Sequence, residues 1–185
     1  TVATGSIRRR AQLGHFRPDL AFEGLRGNIG TRLATLDGPT APDAIVVAVA
    51  ALDRLGLTPA VVDRLDPTVL LPQVGQGALA VECRVDDYPV LELMAAVDDP
   101  TAYRTVTAER AFLSELGAGC DLPVAAHAVL PDGLAGGLHL TGSVSSMDGT
   151  VLAREERAGS DGPALGRAVA RSLLDDQGGA ALLGQ

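Results

Sequence analysis

The sequence predicts a mixed α/β protein in two parts: an α/β part first, then a small α+β part with a three-stranded antiparallel sheet and helices. In the first part, short apolar strands alternate with helices, which is typical of a parallel sheet. In the last part, three strand segments follow one another beside helices, which indicates an antiparallel sheet. A chain of 185 residues, 46% of them hydrophobic, has enough apolar material for a core.

The first part begins with a predicted helix that Ser6 caps and that ends at Gly14. A strand, a second helix and another strand follow, over residues 19–25, 27–36 and 44–50. The continuous apolar and β-branched character of residues 44–50 predicts burial on both faces. Strand, helix and strand in this order make a βαβ unit, which supports the parallel sheet.

The middle of the chain is predicted to hold short elements around a glycine-containing loop. We expect helical turns at 51–55 and 60–65, and short strands at 69–71 and 78–83. Between these strands lies the loop Val-Gly-Gln-Gly at 74–77, whose glycines allow a tight bend or a close approach of the backbone to a ligand. We interpret this loop as a crossing between domains.

The last part starts with two predicted helices, at 90–97 and 102–116. The second helix carries Ala108, Phe112 and Leu116 at the spacing of one apolar face. Glycine-containing turns then separate three predicted strands, at 122–130, 138–145 and 151–157, and a helix at 163–174 is expected to cover them. This arrangement predicts the small α+β unit.

Composition excludes several classes of protein. A net charge of -8 argues against nucleic acid as the main partner. The longest apolar run, residues 44–52, is too short to cross a membrane, and the chain does not start like a signal peptide, so we expect a cytoplasmic protein. Two cysteines make neither a disulfide framework nor a metal site. Cys83, in a predicted apolar strand, is expected to be a small buried side chain.

The basic residues indicate an anion site near the start of the chain. All 15 are arginines, and Arg8, Arg9, Arg10, Arg17, Arg26 and Arg32 fall within the first 32 residues. Residues 6–10 and 25–32 both lie where a predicted helix begins, so backbone N–H groups would add to the guanidinium groups. Several planar guanidinium groups suit a ligand with several carboxylates or phosphates. The alternative is a solvated helix face with surface ion pairs, and no full nucleotide-binding motif is present.

Cys120 is the second candidate for chemistry. Glycines precede it and Pro123 follows, so it lies on a predicted loop where a thiol is open to covalent modification. The alternative is a small buried side chain. His15, His127 and His139 lack motifs of their own and are interpreted as surface or structural residues, so a Cys-His hydrolase fits poorly.

Taken together, these segments resemble the hydroxymethylbilane synthase family, also called porphobilinogen deaminase. The resemblance covers nearly the whole chain, and its strength comes from the order and spacing of many short matches. The matching pieces are SIRR at 6–9, LRGNIGTRL at 25–33, DAI at 43–45, AVA at 48–50, RLG at 54–56, LP at 71–72, VGQGA at 74–78, ECR at 82–84, TAER at 107–110, and GC at 119–120 with Pro123.

The resemblance implies a dipyrromethane cofactor bound through a thioether to Cys120. On this cofactor, four molecules of the substrate porphobilinogen would be condensed into linear hydroxymethylbilane, each with loss of ammonia. Each pyrrole ring carries two carboxylates, which need paired cations when buried. By resemblance, the cofactor is held by Ser6, Arg8, Arg9, Arg32 and Gln76. Arg26 and Arg54 would bind porphobilinogen or the growing chain.

The resemblance also implies a domain organisation. Residues 1–75 would be part of the family's second domain, which is periplasmic-binding-protein-like; residues 76–96 a returning segment of its first domain; and residues 97–185 its C-terminal domain. The family's catalytic aspartate lies in the N-terminal domain and has no counterpart here, so we assign no catalytic residue and expect an incomplete chain, monomeric when complete. The alternatives are a non-catalytic pyrrole- or anion-binding remnant, and a periplasmic-binding-protein-like effector domain of a regulator.

Overall fold

The computed structural model describes residues 1–117, 119 and 121–184. The strands are β1 (Val2–Ala3), β2 (Phe22–Glu23), β3 (Ala44–Ile45), β4 (Val124–Val129), β5 (Leu138–Ser145) and β6 (Leu152–Gly159). The α-helices are α1 (Ile7–Phe16), α2 (Ile29–Ala34), α3 (Val49–Arg54), α4 (Tyr88–Ala95), α5 (Pro100–Glu115), α6 (Gly162–Arg171) and α7 (Gly179–Leu183). Short 3-10 turns lie at Thr58–Ala60 and Gly133–Ala135, and a π-helical turn at Ser172–Asp176.

The first part contains a parallel sheet with the strand order β2-β1-β3. The central strand β1 pairs Val2 with Phe22 on one side and with Ala44 on the other. The chain therefore crosses from β1 to β2 through α1, and returns past β1 to β3 through α2. This arrangement confirms the predicted α/β part.

The last part contains an antiparallel sheet of three strands in the order β4-β5-β6, with α5 and α6 packed on one face. Ala108, Phe112 and Leu116 of the predicted apolar face are buried, and they join the core with Leu140 and Val169. Because a Cβ atom at Gly166 would clash with the α5 backbone, only glycine allows α5 and α6 to approach this closely. The α+β unit is therefore confirmed.

The C-terminal part packs against α1 and against the segment that α1 holds. Within the first part, the Gln12 side chain of α1 accepts from the N–H of Leu71 at 2.8 Å and donates to its carbonyl at 3.2 Å. From the sheet, Arg154 donates to the carbonyl of Thr68 at 2.6 Å. In the turn between β5 and β6, Gly149 lies so close to the Ala11 carbonyl that a side chain would clash. The C-terminal sheet thus supports the helix that follows β1.

Several predicted boundaries in the first part are wrong. α1 continues past Gly14 to Phe16, since this glycine lies against Phe22 and does not end the helix. The predicted strand at 44–50 keeps strand geometry only at Ala44–Ile45, and α3 begins at Val49. Its residues are exposed or half-buried, so the expected burial on both faces is also wrong.

The middle segment differs most from prediction. Residues 69–71 and 78–83 form no strands, and residues 61–65 form no helix. Cys83 is exposed, which corrects its expected burial, because the segment around it packs against no sheet. Leu79 and Val85 of the same segment are 76% and 88% exposed. Residues 78–85 therefore carry apolar side chains that nothing in the described structure covers.

Among the described residues, no helix is both long enough and apolar enough to span a membrane. In the same residues, no group of three or more histidine, cysteine, aspartate or glutamate side chains is placed to hold a metal ion.

Candidate anion-binding site

A cavity of about 790 Å³ opens at the carboxyl ends of β1 and β2. In open α/β sheets, ligands bind beyond the carboxyl ends of the strands. Its lining comes from the loop after β1 and the start of α1, the loop after β2, Arg32 of α2, and Gln73 and Gln76 of the middle segment. We call it the arginine pocket; its arginines are Arg8, Arg9, Arg10, Arg26 and Arg32.

The start of α1 aims two arginines at this pocket. Ser6 caps the helix, and its hydroxyl accepts from the N–H of Arg9 at 3.4 Å, as predicted. Gly5 lies so close to the Leu25 carbonyl that any side chain would clash, so the loops after β1 and β2 are in direct contact. This close approach places Arg8 and Arg9 beside the loop that carries Arg26.

Arg8 is a buried cation, only 3% exposed. Its guanidinium donates to the Leu71 carbonyl and, at 3.3 Å, to the Gln73 side chain. Burial, and then the neighbouring charge of Arg9, lowers the pKa of Arg8 to about 10. Both partners are neutral, so the positive charge has no counter-ion in these contacts.

Arg9 lies next to Arg8 and reaches across the strand ends. It donates to the Val46 carbonyl, beyond β3, at 2.8 Å and to the Gln76 side chain at 3.4 Å. Burial lowers the pKa of Arg9, and the charge of Arg32 lowers it further. Arg32 is itself held by the Gly27 carbonyl at 2.8 Å. Like charges have therefore been brought together around one cavity.

The arrangement favours an anionic ligand. Within the part of the chain that the structure describes, no carboxylate forms an ion pair with Arg8, Arg9 or Arg32. Grouped cations without counter-ions are unfavourable, and an anion that binds between them removes this repulsion. Separate hydrogen bonds hold each guanidinium, so the pocket suits a ligand with more than one carboxylate.

The structure brings most of the predicted site residues to this pocket. Ser6, Arg8, Arg9, Arg26, Arg32 and Gln76 all line it. Arg54 lies in a neighbouring cavity of about 740 Å³, on the other side of the 74–77 turn, and donates to the Gly77 carbonyl at 2.5 Å. Cys120 lies outside the described residues.

Sequence reasoning missed two supporting residues, Gln73 and Gln12. Gln73 binds Arg8, and Gln12 holds Leu71, whose carbonyl also accepts from Arg8. The only signal for Gln73 was its place between the matched LP and VGQGA segments, and no local pattern marks Gln12.

Two family models match this chain. Residues 1–92 match the family model described as "Porphobilinogen deaminase, dipyromethane cofactor binding domain", and this range contains the whole arginine pocket. Residues 103–175 match the model described as "Porphobilinogen deaminase, C-terminal domain". These two ranges follow the parallel-sheet part and the antiparallel-sheet part of the fold.

Curated relatives named porphobilinogen deaminase align with nearly the whole chain. That of Roseiflexus castenholzii is 47% identical over 186 residues, which cover 99% of this chain and 59% of the relative. That of Syntrophobacter fumaroxidans is 46% identical over 176 residues, 94% of this chain and 56% of the relative. That of Bacillus cereus is 45% identical over 174 residues, 94% and 55%. The chain thus spans less than three fifths of these relatives' length.

Two family models in the expected order, together with relatives at this identity, lead to one conclusion: the chain belongs to the porphobilinogen deaminase family.

Proposed function

We propose that this chain forms the cofactor-holding and C-terminal parts of a hydroxymethylbilane synthase. The complete enzyme would join four porphobilinogen molecules into linear hydroxymethylbilane, for tetrapyrrole synthesis. The observation that carries the proposal is the arginine pocket, in which Arg8, Arg9 and Arg32 are grouped without an acidic partner among the described residues. Porphobilinogen and dipyrromethane are both pyrroles with paired carboxylates, which suits grouped guanidinium groups.

The residues of the pocket fit a dipyrromethane cofactor. Arg9 and Arg32 would bind its carboxylates, because their guanidinium groups use only part of their five donors on backbone and amide oxygens. Arg8 would add charge at the base of the pocket, where burial strengthens its field. Ser6 fixes the start of α1, and Gln76 orients Arg9. When bound, the cofactor supplies the pyrrole terminus to which substrate units are added.

Cys120 is the proposed attachment point of this cofactor. The support is the resemblance of the Gly119-Cys120 segment to the family motif and the match of residues 103–175 to the family's C-terminal domain. A thiol is the side chain that forms a stable thioether with a carbon electrophile, and the glycines around it allow a bulky adduct to be accommodated.

Arg26 and Arg54 are the proposed substrate-binding residues. Arg26 lines the arginine pocket, and Arg54 lies in the neighbouring cavity. The turn 74–77 separates the two cavities, since Gln76 lines the first while Gly75 and Gly77 line the second. Cations on both sides of this turn would hold carboxylates on successive pyrrole rings of a growing chain.

We also propose a domain organisation: residues 1–75 as part of a periplasmic-binding-protein-like domain, 76–96 as a segment of a separate domain, and 97–185 as the C-terminal domain. The exposed apolar side chains Leu79, Val81 and Val85 support the second assignment, because such a stretch is unfavourable in water unless protein covers it. The curated relatives are longer than this chain, and residues of that additional length would supply the cover. No catalytic residue is assigned within this chain.

Mass spectrometry of the protein isolated from its natural source tests the attachment. The peptide that contains Cys120 should carry the mass of one dipyrromethane, and the same preparation should convert porphobilinogen to hydroxymethylbilane. A fully active preparation with an unmodified Cys120 would refute the cofactor assignment. A modified protein without turnover would instead favour a pyrrole-binding protein that is not a catalyst.

A further inference from the structure

The two glutamines that contact the pocket arginines are the two ends of one tight turn. The N–H of Gln76 donates to the carbonyl of Gln73 at 2.9 Å and closes a four-residue turn. Gly75, the third residue of this turn, has a φ of +69°, a backbone conformation that favours glycine in this position of a type II turn. The position of this turn therefore decides where both glutamine side chains lie.

A buried carboxylate from the other half of the chain binds this turn. Glu109, in the middle of α5, is only 6% exposed. One of its oxygens accepts from the N–H of Gly75 at 2.7 Å, and the other accepts from the N–H of Ala128 in β4 at 2.9 Å. Val74 also packs against the core of the C-terminal part. Glu109 thus joins the turn, the helix and the sheet at a single point.

A carboxylate at position 109 can accept from two N–H donors at once. Burying a carboxylate without a cation is unfavourable, and within the described residues Glu109 forms no ion pair. What it provides is two acceptor oxygens aimed at two N–H donors in different elements. Glutamine has a single acceptor oxygen, so it satisfies only one of these donors and presents its NH₂ group to the other.

We propose that Glu109 is a positioning residue for the arginine pocket. It fixes Gly75 and with it Gln73 and Gln76, which in turn orient Arg8 and Arg9 towards the carboxylates of a pyrrole ligand. A chain of contacts therefore leads from the C-terminal core to the pocket. The ligand in this inference rests on the proposed function, whereas the effect on the two arginines does not.

The first experiment needs no ligand. In the 185-residue chain, Glu109→Gln should shift the guanidinium NMR signals of Arg8 and Arg9. The shift should have the same direction as in the double glutamine variant, which combines Gln73→Ala and Gln76→Ala. It should also speed hydrogen exchange at Gly75 relative to the amides of β5. Glu115→Gln is the matched control: it is on the same helix but pairs with Arg171, away from the pocket, and should leave these signals unchanged. Unchanged arginine signals in folded Glu109→Gln would overturn the proposal.

The second experiment measures porphobilinogen affinity in a double-mutant cycle. Glu109→Gln should weaken binding about tenfold, the effect of one lost buried hydrogen bond. It should weaken binding no further when Gln73 and Gln76 are already alanine. Equal losses in both backgrounds would mean that Glu109 does not act through these glutamines. If the unchanged chain does not bind porphobilinogen, the proposed function fails, and the arginine signals alone decide the role of Glu109.

If Glu109→Gln does not fold, the variant Glu109→Asp takes its place in both experiments. This shorter acid keeps the charge but reaches one N–H at a time. Its arginine signals should lie between those of the unchanged chain and of the double glutamine variant. Signals identical to those of the unchanged chain, with a Gly75 amide that exchanges at the same rate, would contradict the proposal.

Discussion

The guanidinium of Arg9, which follows β1, donates to the carbonyl of Val46, which follows β3, at 2.8 Å. This contact fixes one edge of the guanidinium across the strand ends, while the Gln76 side chain accepts from its other terminal nitrogen at 3.4 Å. A guanidinium has five N–H donors, so donors are left for a ligand. The same residue thus stabilises the end of the sheet and offers charge to the pocket.

Replacing Arg9 by leucine should weaken porphobilinogen binding by about tenfold to a hundredfold, since a hydrogen bond to a charged group contributes roughly 1.5–3 kcal/mol. Arg9→Lys should recover part of this loss, because it restores the charge without the planar fork. Titration calorimetry measures both. Arg17→Leu, which removes an exposed arginine paired with Asp19, is the control and should bind normally. Unchanged affinity in Arg9→Leu would remove this residue from the site.

Substitutions of Arg8 and Gln12 should have different effects, the first on ligand binding and the second on stability, although both residues contact Leu71. Arg8→Met should weaken ligand binding but change the free energy of unfolding little, because the Leu71 carbonyl still accepts from Gln12 and an unpaired buried cation is removed. Gln12→Leu leaves the buried N–H of Leu71 without its partner and should cost about 1–3 kcal/mol. Urea unfolding measures these costs. Equal losses of stability in the two variants would contradict this division.

The close crossing of α5 and α6 should not tolerate a methyl group at Gly166. A Cβ atom there would meet the Ala108 carbonyl and the Phe112 N–H, so Gly166→Ala should lower the free energy of unfolding by about 1–3 kcal/mol, the usual cost of overpacking. Gly24→Ala is the control, since no atom lies within 4 Å of its added methyl group. A Gly166→Ala protein as stable as this control would show that the helices do not approach so closely.

The charge of Glu109 should make its contribution to stability depend on pH. Burial raises the pKa of this carboxyl above its ordinary value of 4.5, although the N–H groups of Gly75 and Ala128 oppose the shift. The folded state therefore holds the proton of this carboxyl more tightly than the unfolded chain does. The stability that this proton binding contributes is complete below pH 4.5 and is lost as the pH rises through the folded pKa. The stability of the unchanged chain relative to Glu109→Gln should be greater at pH 4.5 than at pH 7. The opposite change would contradict the raised pKa.

Sequence reasoning was most accurate where periodicity and caps act locally. The predicted strand at 138–145 matches β5, the face with Ala108, Phe112 and Leu116 is buried, and Ser6 caps α1. These features depend on neighbours in the sequence, so local patterns predict them. The arginines near the start do line one cavity, because short βα loops bring them to one edge of the sheet, whereas anion binding there stays a prediction.

The errors arise where distant contacts decide the structure. Gly14 does not end α1, because the helix continues to pack beside Phe22. The apolar run at 78–83 has a strand-like composition but lacks a partner strand among the described residues, so Cys83 is exposed. No local pattern links Glu109 to Gly75, which lie 34 positions apart. Local propensity does not include such contacts.

The central claim is that the arginine pocket binds the carboxylates of a pyrrole. Calorimetric titration of the chain with porphobilinogen and with its dimethyl ester, in which neither carboxyl group carries a charge, tests this claim most directly. We expect the dicarboxylate to bind, more weakly at high salt and in Arg9→Leu, and the ester to show no measurable binding. Equal binding of the acid and the ester, or equal binding to the unchanged chain and to Arg9→Leu, would contradict the account.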